Sequence, residues 1–131
     1  LKISGRVNEM IVNSGGENIA PVPIENLLLS YGEIEQVMIY GHNRPFLIAI
    51  IIPNETLLSD NKNNLKENLQ NILNKVNENL SQSKKIRKFI SSNEVFSTDN
   101  GQLTPTLKIR RHVIVNRYKD EINNLYKKSF F

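Results

Sequence analysis

Residues 103–111 have the types and order that could do chemistry. They read Leu-Thr-Pro-Thr-Leu-Lys-Ile-Arg-Arg, with an Asp-Asn-Gly turn signal before them and a helical pattern after them. Pro105 lacks a backbone N–H and favours extended geometry at the residue before it, so the sequence predicts a stiff loop with Lys108 near its tip. Such a lysine could meet a negatively charged group, or it could be an ordinary solvated cation before a helix.

Positive charge is concentrated in the part of the chain that contains Lys108. Residues 1–83 hold six Lys or Arg against nine Asp or Glu, whereas residues 84–131 hold eleven against four. The two parts carry −3 and +7, which sum to the net charge of +4. This asymmetry predicts an anionic partner such as a phosphate-rich cofactor, nucleic acid or a lipid headgroup surface. A solvated face with a basic tail is the alternative.

Composition limits the remaining classes. The 131 residues predict one domain, and the longest apolar run, at 46–52, is strand-sized rather than membrane-spanning. There is no cysteine, which excludes disulfides and thiol chemistry and fits a reducing cytosol. His42 and His112 have no partner at ligand spacing, so no metal site is predicted. Because the sequence starts at Leu1 without Met or a signal segment, we expect it to be a piece of a longer chain.

The elements that must position the lysine loop can be predicted from periodicity and turn residues. Extended segments are predicted at 2–13, 33–40, 46–52 and 95–97, and helices at 21–31, 65–80 and 114–126, with a helical turn at 56–58. The segment 46–52 is apolar on both faces and should lie centrally between helices. Residues 83–90 are interpreted as a basic segment leading into the last strand. The order predicts an α+β domain whose helices pack against a small, mainly antiparallel sheet.

The helix at 21–31 has its own start and stop signals. Pro21 and Pro23 suit a first helical turn, and Glu25 is expected to interact with the positive end of the helix macrodipole. Gly32 is predicted as the residue just past the helix end.

Two segments resemble the C-terminal domain of the acyl-adenylate-forming enzymes. Residues 5–25, Gly-Arg-Val-Asn-Glu-Met-Ile-Val-Asn-Ser-Gly-Gly-Glu-Asn-Ile-Ala-Pro-Val-Pro-Ile-Glu, resemble the segment that opens this domain. Residues 103–111 resemble the loop that carries the family's catalytic lysine. The Thr-Pro-Thr-Leu-Lys form resembles the long-chain fatty-acyl-CoA synthetase branch, whereas many relatives carry Ser-Gly-Lys. The resemblance identifies residues 1–131 as the mobile C-terminal lid of such a ligase, with the large N-terminal adenylate-binding domain absent.

The resemblance implies a two-step reaction. A long-chain fatty acid attacks the α-phosphorus of Mg²⁺-bound ATP and gives acyl-AMP and pyrophosphate, and the thiol of coenzyme A then displaces AMP to give acyl-CoA. Lys108 would be the catalytic cation that bridges the acyl carboxylate and α-phosphate oxygens in the first step. The isolated domain is expected to bind none of these substrates and to be inactive, because the nucleotide cradle belongs to the absent domain.

The resemblance also implies roles outside the lysine loop. Arg6 matches a nucleotide-binding arginine, and Asn8 stands at the hinge position, where relatives usually have Asp or Lys. Ser14, Gly15 and Gly16 would line the passage of the pantetheine arm, since glycine permits close approach of a ligand. From the residues alone, Arg6 could equally form a surface salt bridge, and the glycines could form a plain hairpin turn.

Partners and competing functions complete these expectations. The expected partners are the chain's own N-terminal domain, fatty acid, ATP and coenzyme A; Arg110, Arg111 and residues 84–88 could contact phosphates of coenzyme A or anionic lipid. The expected location is the cytoplasm, with peripheral membrane contact suggested by a fatty-acid substrate. One alternative is the lid of an adenylating enzyme that loads a carrier-protein pantetheine. Another is a basic nucleic-acid-binding module, although no aromatic-interleaved basic strand or recognition helix is present.

Overall fold

The computed structural model describes residues 10–54 and 62–128, and the side chains of residues 10–54 and 65–127. Within these ranges, the elements in chain order are β1 (Ile11–Val12), β2 (Asn18–Ile19), α1 (Pro21–Leu29), β3 (Ile34–Tyr40), β4 (Leu47–Pro53), α2 (Lys62–Asn77), a 3-10 helix (Gln82–Lys84), β5 (Ile86–Ser91), α3 (Arg111–Arg117) and α4 (Lys119–Lys128). The predicted extended residues 2–9 and the predicted helical turn at 56–58 lie outside the described residues.

The strands form two small sheets. β1 and β2 pair antiparallel in a separate two-stranded sheet, and the larger sheet has the order β3-β4-β5. β3 and β4 are antiparallel neighbours joined by a short loop, whereas β4 and β5 are parallel. The parallel pair is possible because α2 provides the crossover connection that parallel neighbours require. The predicted α+β class is confirmed, and the larger sheet is mixed because its β4–β5 pair is parallel.

β4 is the centre of the fold, as its apolar sequence predicts. All seven of its residues are buried. Successive side chains of a strand point to opposite faces, so Leu47, Ala49 and Ile51 pack in the core with α1 and α2, while Ile48 and Ile50 pack with α3 and α4. The sheet is therefore covered by helices on both faces, and the lysine loop connects into the α3 side.

The prediction of a strand at 95–97 is wrong. The third strand of the larger sheet is instead β5, which overlaps the segment 83–90 interpreted as a basic connection and ends one residue beyond it. Ile86 and Ile90 are buried, while Arg87 and Ser91 are exposed, so the strand has apolar contacts despite its positive charge. Charged side chains are common on edge strands, where they oppose pairing with other chains. The positive charges of this segment are thus the reason why no strand was predicted from its sequence.

The bounds of the predicted helices also differ from the structure, and the helix predicted at 65–80 spans Lys62–Asn77. The helix predicted at 114–126 is divided at Tyr118, whose backbone (φ −108°, ψ 21°) leaves helical geometry between α3 and α4. The Tyr118 side chain is buried, and its hydroxyl donates a hydrogen bond to Ser92 Oγ at 2.8 Å. α1 ends at Leu29 with Ser30 as its cap, so Gly32 is not the terminating residue. Pro21 does begin the helix, as predicted.

Candidate active site

The lysine loop is closed at its base like a small hairpin. Leu103 and Ile109 form an antiparallel bridge, and the Arg110 N–H donates to the Gln102 carbonyl at 2.8 Å. Above the bridge, the Thr104 N–H donates to the Lys108 carbonyl at 2.8 Å. These contacts hold the two arms of the loop together below the lysine.

Thr104 also organises the tip of this loop. Its hydroxyl oxygen accepts a hydrogen bond from the Lys108 N–H at 3.1 Å and lies 3.1 Å from the Thr106 hydroxyl. The Leu107 N–H donates to the Thr104 carbonyl at 2.7 Å. The predicted stiff loop is therefore built from hydrogen bonds that converge on Thr104, in addition to the restriction that Pro105 imposes.

Leu107 adopts a backbone conformation that is rare for its residue type. Its φ is +67°, in the left-handed region that glycine adopts without penalty, and its side chain is 69% exposed. It stands where the Ser-Gly-Lys form of the loop has glycine. The turn thus places a residue with left-handed backbone immediately before the lysine.

The Lys108 side chain is exposed at the tip of the loop. Among the described residues, its ammonium group forms no hydrogen bond or ion pair, although the backbone beneath it is fixed on both sides. A charged group held on a rigid base without a partner is available to an anionic ligand. This arrangement is the one expected of a cation that acts on a negatively charged reacting group.

The residue that follows the loop makes a contact that the sequence did not reveal. Arg111, the first residue of α3, donates from both terminal guanidinium nitrogens to the Glu25 carboxylate of α1, at 2.5 and 2.9 Å. Glu25 is only 4% exposed, and its Oε2 also accepts the Ile39 N–H of β3 at 2.8 Å. Glu25 was expected to interact with the helix macrodipole; instead it joins α1, β3 and α3. A glutamate on the buried face of an amphipathic helix was the available signal, since a buried carboxylate needs a partner.

The glycine hairpin is the second predicted functional element, and the structure confirms the turn. Gly16 has φ +85°, and its N–H donates to the Asn13 carbonyl at 2.9 Å. The Asn13 side-chain oxygen accepts hydrogen bonds from Gly15 N–H at 3.0 Å and Glu17 N–H at 2.9 Å. Ser14, Gly15 and Gly16 are all exposed, so the tip of the turn presents backbone to its surroundings.

The hairpin is attached to the rest of the domain at several points. The Asn43 N–H donates to the Val12 carbonyl at 2.8 Å, and the Ser14 N–H donates to the Arg44 carbonyl at 2.9 Å. On the opposite arm, Glu17 accepts a hydrogen bond from the Ser83 hydroxyl at 2.7 Å. The turn is therefore anchored to the β3–β4 loop and to the 3-10 helix.

A cleft with several basic side chains lies where the hairpin, β3, α3 and α4 meet. Its volume is about 810 Å³, and buried Met38 and Ile39 form part of its apolar floor. Its basic lining residues are His42, Arg44, Arg111, His112 and Lys119. The cleft thus collects basic residues that are distant in sequence. Arg111 faces it with its charge already paired to Glu25.

The other basic residues are dispersed. Lys88 donates to the Leu125 carbonyl of α4 at 3.1 Å, so its charge serves a helix C-terminus. Arg110 is exposed, and one of its guanidinium nitrogens lies 3.4 Å from the Gly101 carbonyl. Residues 84–88 and Arg110 are not joined by any hydrogen bond or ion pair in the described part of the chain. Arg6 and Asn8, the predicted nucleotide-binding and hinge residues, lie outside the described residues.

Two further observations concern metals and membranes. The described ranges contain no group of three or more His, Cys, Asp or Glu side chains arranged to hold a metal ion. In residues 10–54 and 62–128, no helix combines the length and apolar character needed to cross a bilayer.

Comparison with known proteins relates this geometry to one family. The family model of the AMP-binding enzyme C-terminal domain matches residues 8–130. A chloroplastic long-chain-fatty-acid–[acyl-carrier-protein] ligase of Arabidopsis thaliana is 37% identical over 95% of this chain and 18% of its own length. A long-chain-fatty-acid–CoA ligase of Mycobacterium tuberculosis is 30% identical over 98% of this chain and 24% of its own length.

Solved structures agree with the sequence relatives. The adenylation domain of a carboxylate reductase from Mycobacterium chelonae superposes with a TM-score of 0.84 at 25% identity, covering 93% of this chain and 20% of that one. The chain thus spans about a fifth of the length of the relatives it matches. The family match covers both the glycine hairpin and the lysine loop, and the chain belongs to the family of AMP-binding enzyme C-terminal domains.

Proposed function

We propose that this chain is the mobile C-terminal domain of a ligase that activates a long-chain fatty acid with ATP and transfers the acyl group to coenzyme A. Two relatives whose names specify long-chain fatty acid ligases, at 37% and 30% identity, support the substrate class. The observation that carries the proposal is Lys108, an unpaired cation among the described side chains, on a loop whose backbone is fixed on both sides of it.

In the first step, Lys108 stabilises negative charge. The fatty-acid carboxylate attacks the α-phosphorus of Mg²⁺-bound ATP, a C–O–P linkage forms, and pyrophosphate leaves with the electron pair of the broken P–O bond. Two anionic groups approach each other in this step, so a preorganised cation between them lowers the barrier, typically by 10² to 10³ in rate for one donor. The loop holds Lys108 in place before the reaction, which avoids reorganisation during it.

In the second step, the thiol of coenzyme A attacks the acyl carbonyl of acyl-AMP, and AMP leaves. The domain rotates, Lys108 withdraws, and the turn at Ser14, Gly15 and Gly16 lines the passage of the pantetheine arm. The exposed backbone of this turn suits close approach of an extended ligand. Arg6 is proposed to bind the nucleotide, and Asn8 to provide the hinge.

The test separates the two steps in the full-length enzyme that carries this domain. Pyrophosphate release measures adenylation, and conversion of supplied acyl-AMP to acyl-CoA measures transfer. Lys108→Ala should lower adenylation by roughly 10² or more and leave transfer intact. Gly15→Leu should do the reverse, because its added side chain narrows the passage without removing the cation. Adenylation at the wild-type rate in Lys108→Ala would remove the proposed role of this lysine.

The isolated domain provides a second test. We propose that residues 1–131 alone neither bind ATP and coenzyme A measurably nor form acyl-CoA, because their sites require the large domain. Acyl-CoA formation by the purified 131 residues would overturn the assignment as a lid. A cytoplasmic location with peripheral membrane contact belongs to the same proposal.

A carrier-protein acceptor is the second candidate. The relative with 37% identity is named as an acyl-carrier-protein ligase, and this observation supports a protein-bound pantetheine as an alternative acceptor. Both acceptors present the same thiol, so the lysine loop does not distinguish them. Transfer from supplied acyl-AMP should be measured with coenzyme A and with pantetheine-loaded acyl carrier protein in parallel. Faster transfer to the carrier protein at equal thiol concentration would replace coenzyme A in the proposal.

A further inference from the structure

We propose that Arg111 and Glu25 are a positioning pair, which fixes the end of the lysine loop so that Lys108 points in one direction. The inference rests on the proposed function, since it concerns the adenylation step. It assigns to these residues no contact with substrate. Their role would be to act on Lys108 through the backbone that connects it to α3.

The contact has the geometry of a rigid clamp. Both terminal nitrogens of the Arg111 guanidinium meet the Glu25 carboxylate, and this planar two-point contact restricts rotation as well as distance. The Glu25 side chain is 6% exposed and that of Arg111 20% exposed, so water competes little for either group. The Ile39 N–H completes the surroundings of the carboxylate and ties it to the sheet.

The position of the clamp connects it to the lysine. Arg111 follows Ile109 and Arg110, which close the loop through the bridge to Leu103 and the hydrogen bond to Gln102. Arg111 is also the first residue of α3, so its contact with Glu25 connects the start of this helix to α1. The C-terminal end of the loop is thereby held on the core of the domain, three residues after Lys108.

A second arginine–glutamate pair provides the control for this inference. The same helix offers a comparison, because Arg117 of α3 also pairs with a glutamate, Glu94, at 2.8 Å. That pair is far more accessible, with side-chain exposures of 52% and 34%. Exposed pairs of this kind contribute little to stability. Arg117 therefore provides a matched control of the same residue type on the same helix.

The experiment uses Arg111→Lys and Arg117→Lys in the full-length enzyme, with Lys108→Ala as the reference. Lysine keeps the positive charge but cannot reproduce the two-point contact. A displacement of the reacting group of about 1 Å can cost as much as 10² in rate, so we expect Arg111→Lys to lower kcat of adenylation about tenfold or more. Transfer from supplied acyl-AMP and the KM for ATP should stay unchanged, because Lys108 is withdrawn in transfer and the role proposed for Arg111 involves no contact with ATP. Arg117→Lys should match wild type in all measurements.

The outcomes distinguish this inference from the proposed function. Suppose that Lys108→Ala abolishes adenylation while Arg111→Lys leaves it unchanged. The positioning role of Arg111 and Glu25 is then wrong, and the proposed function of Lys108 stands. If Lys108→Ala itself leaves adenylation unchanged, the proposed function fails. If Arg111→Lys lowers both half-reactions together with the melting temperature, the pair is only structural. If Arg111→Lys does not fold, Glu25→Asp repeats the test, because it keeps the carboxylate charge on a shorter side chain.

Discussion

The side-chain amide of Gln36 pairs with the backbone of Phe96 as a neighbouring strand would. Its Oε1 accepts the Phe96 N–H at 2.7 Å, and its Nε2 donates to the Phe96 carbonyl at 3.0 Å. Gln36 lies on β3, an edge of the larger sheet, and Phe96 is buried. One side chain thus satisfies both polar groups of a buried residue that belongs to no strand.

Gln36→Ala is therefore expected to destabilise the domain. The substitution leaves the Phe96 N–H and carbonyl without these partners, and the expected cost is about 1–3 kcal/mol of unfolding free energy. Urea denaturation of the 131-residue chain measures it. Gln70→Ala is the control, because Gln70 is exposed and, among the described residues, its amide donates only to Asn74 on the same helix, at 3.1 Å. Equal stability of the two variants would show that the Gln36 contact contributes nothing beyond an exposed hydrogen bond.

This pairing also explains why sequence reasoning misplaced a strand. The apolar residues at 95–97 resemble a strand, and Phe96 does enter the core, but its backbone is satisfied by a side chain that only the tertiary structure brings near. The strand that the structure contains, β5, was not predicted, because the charged residues Arg87 and Lys88 interrupt its apolar pattern. Similarly, no glycine or proline marks the break between α3 and α4 at Tyr118.

Other features could be predicted because their causes are local. The sequence of β4 is a continuous apolar run, and such a run predicts a strand that is buried on both faces. The turn signals around Gly16 and Pro105 act on neighbouring backbone, so both candidate loops were found. The Glu25–Arg111 pair joins residues 86 positions apart. Each is a common charged residue on its own, and only the packing of α1 beside α3 makes them partners.

Leu107 is expected to tolerate glycine without loss of stability. A left-handed backbone costs a residue with a side chain roughly 1–2 kcal/mol, whereas glycine loses about 0.5–1 kcal/mol through greater freedom when unfolded. Since Leu107 is largely exposed, little packing is lost. Leu107→Gly should thus match wild type or exceed it by up to about 1 kcal/mol in urea denaturation.

The control for this prediction is Leu27→Gly. Leu27 is 42% exposed in α1, where glycine is unfavourable by about 1 kcal/mol. The two substitutions remove the same side chain from backbones of opposite preference. If both variants lost the same stability, the left-handed conformation of Leu107 would not be a significant source of strain.

Gly16 should be less tolerant of alanine than Gly15. Gly16 has φ +85°, and a Cβ at this position would meet no atom within 4 Å, so conformational strain alone opposes the substitution. Gly16→Ala is expected to cost about 1 kcal/mol or slightly more in thermal or urea unfolding. For Gly15→Ala, the added Cβ would lie 3.4 Å from Asn13 Oδ1, an ordinary contact, so the loss should be smaller. The reverse order would contradict the turn geometry described for 13–17.

Tyr126 is expected to make the domain sensitive to alkaline pH. Its hydroxyl donates to the Phe46 carbonyl at 2.7 Å in a buried position, and burial, assisted by neighbouring Tyr40, raises the pKa of Tyr126 above its ordinary value. The native state therefore holds this proton at pH values where the unfolded chain, with a tyrosine pKa of about 10, releases it. The contribution to stability is complete below pH about 10 and declines as pH rises toward the native pKa.

Tyr126→Phe should lower the unfolding free energy by about 1 kcal/mol at neutral pH through the lost hydrogen bond, and its stability should fall less steeply above pH about 10. Urea denaturation at neutral and alkaline pH measures both effects, with Tyr31→Phe as the control; parallel curves for Tyr126→Phe and wild type would contradict the role of this hydroxyl.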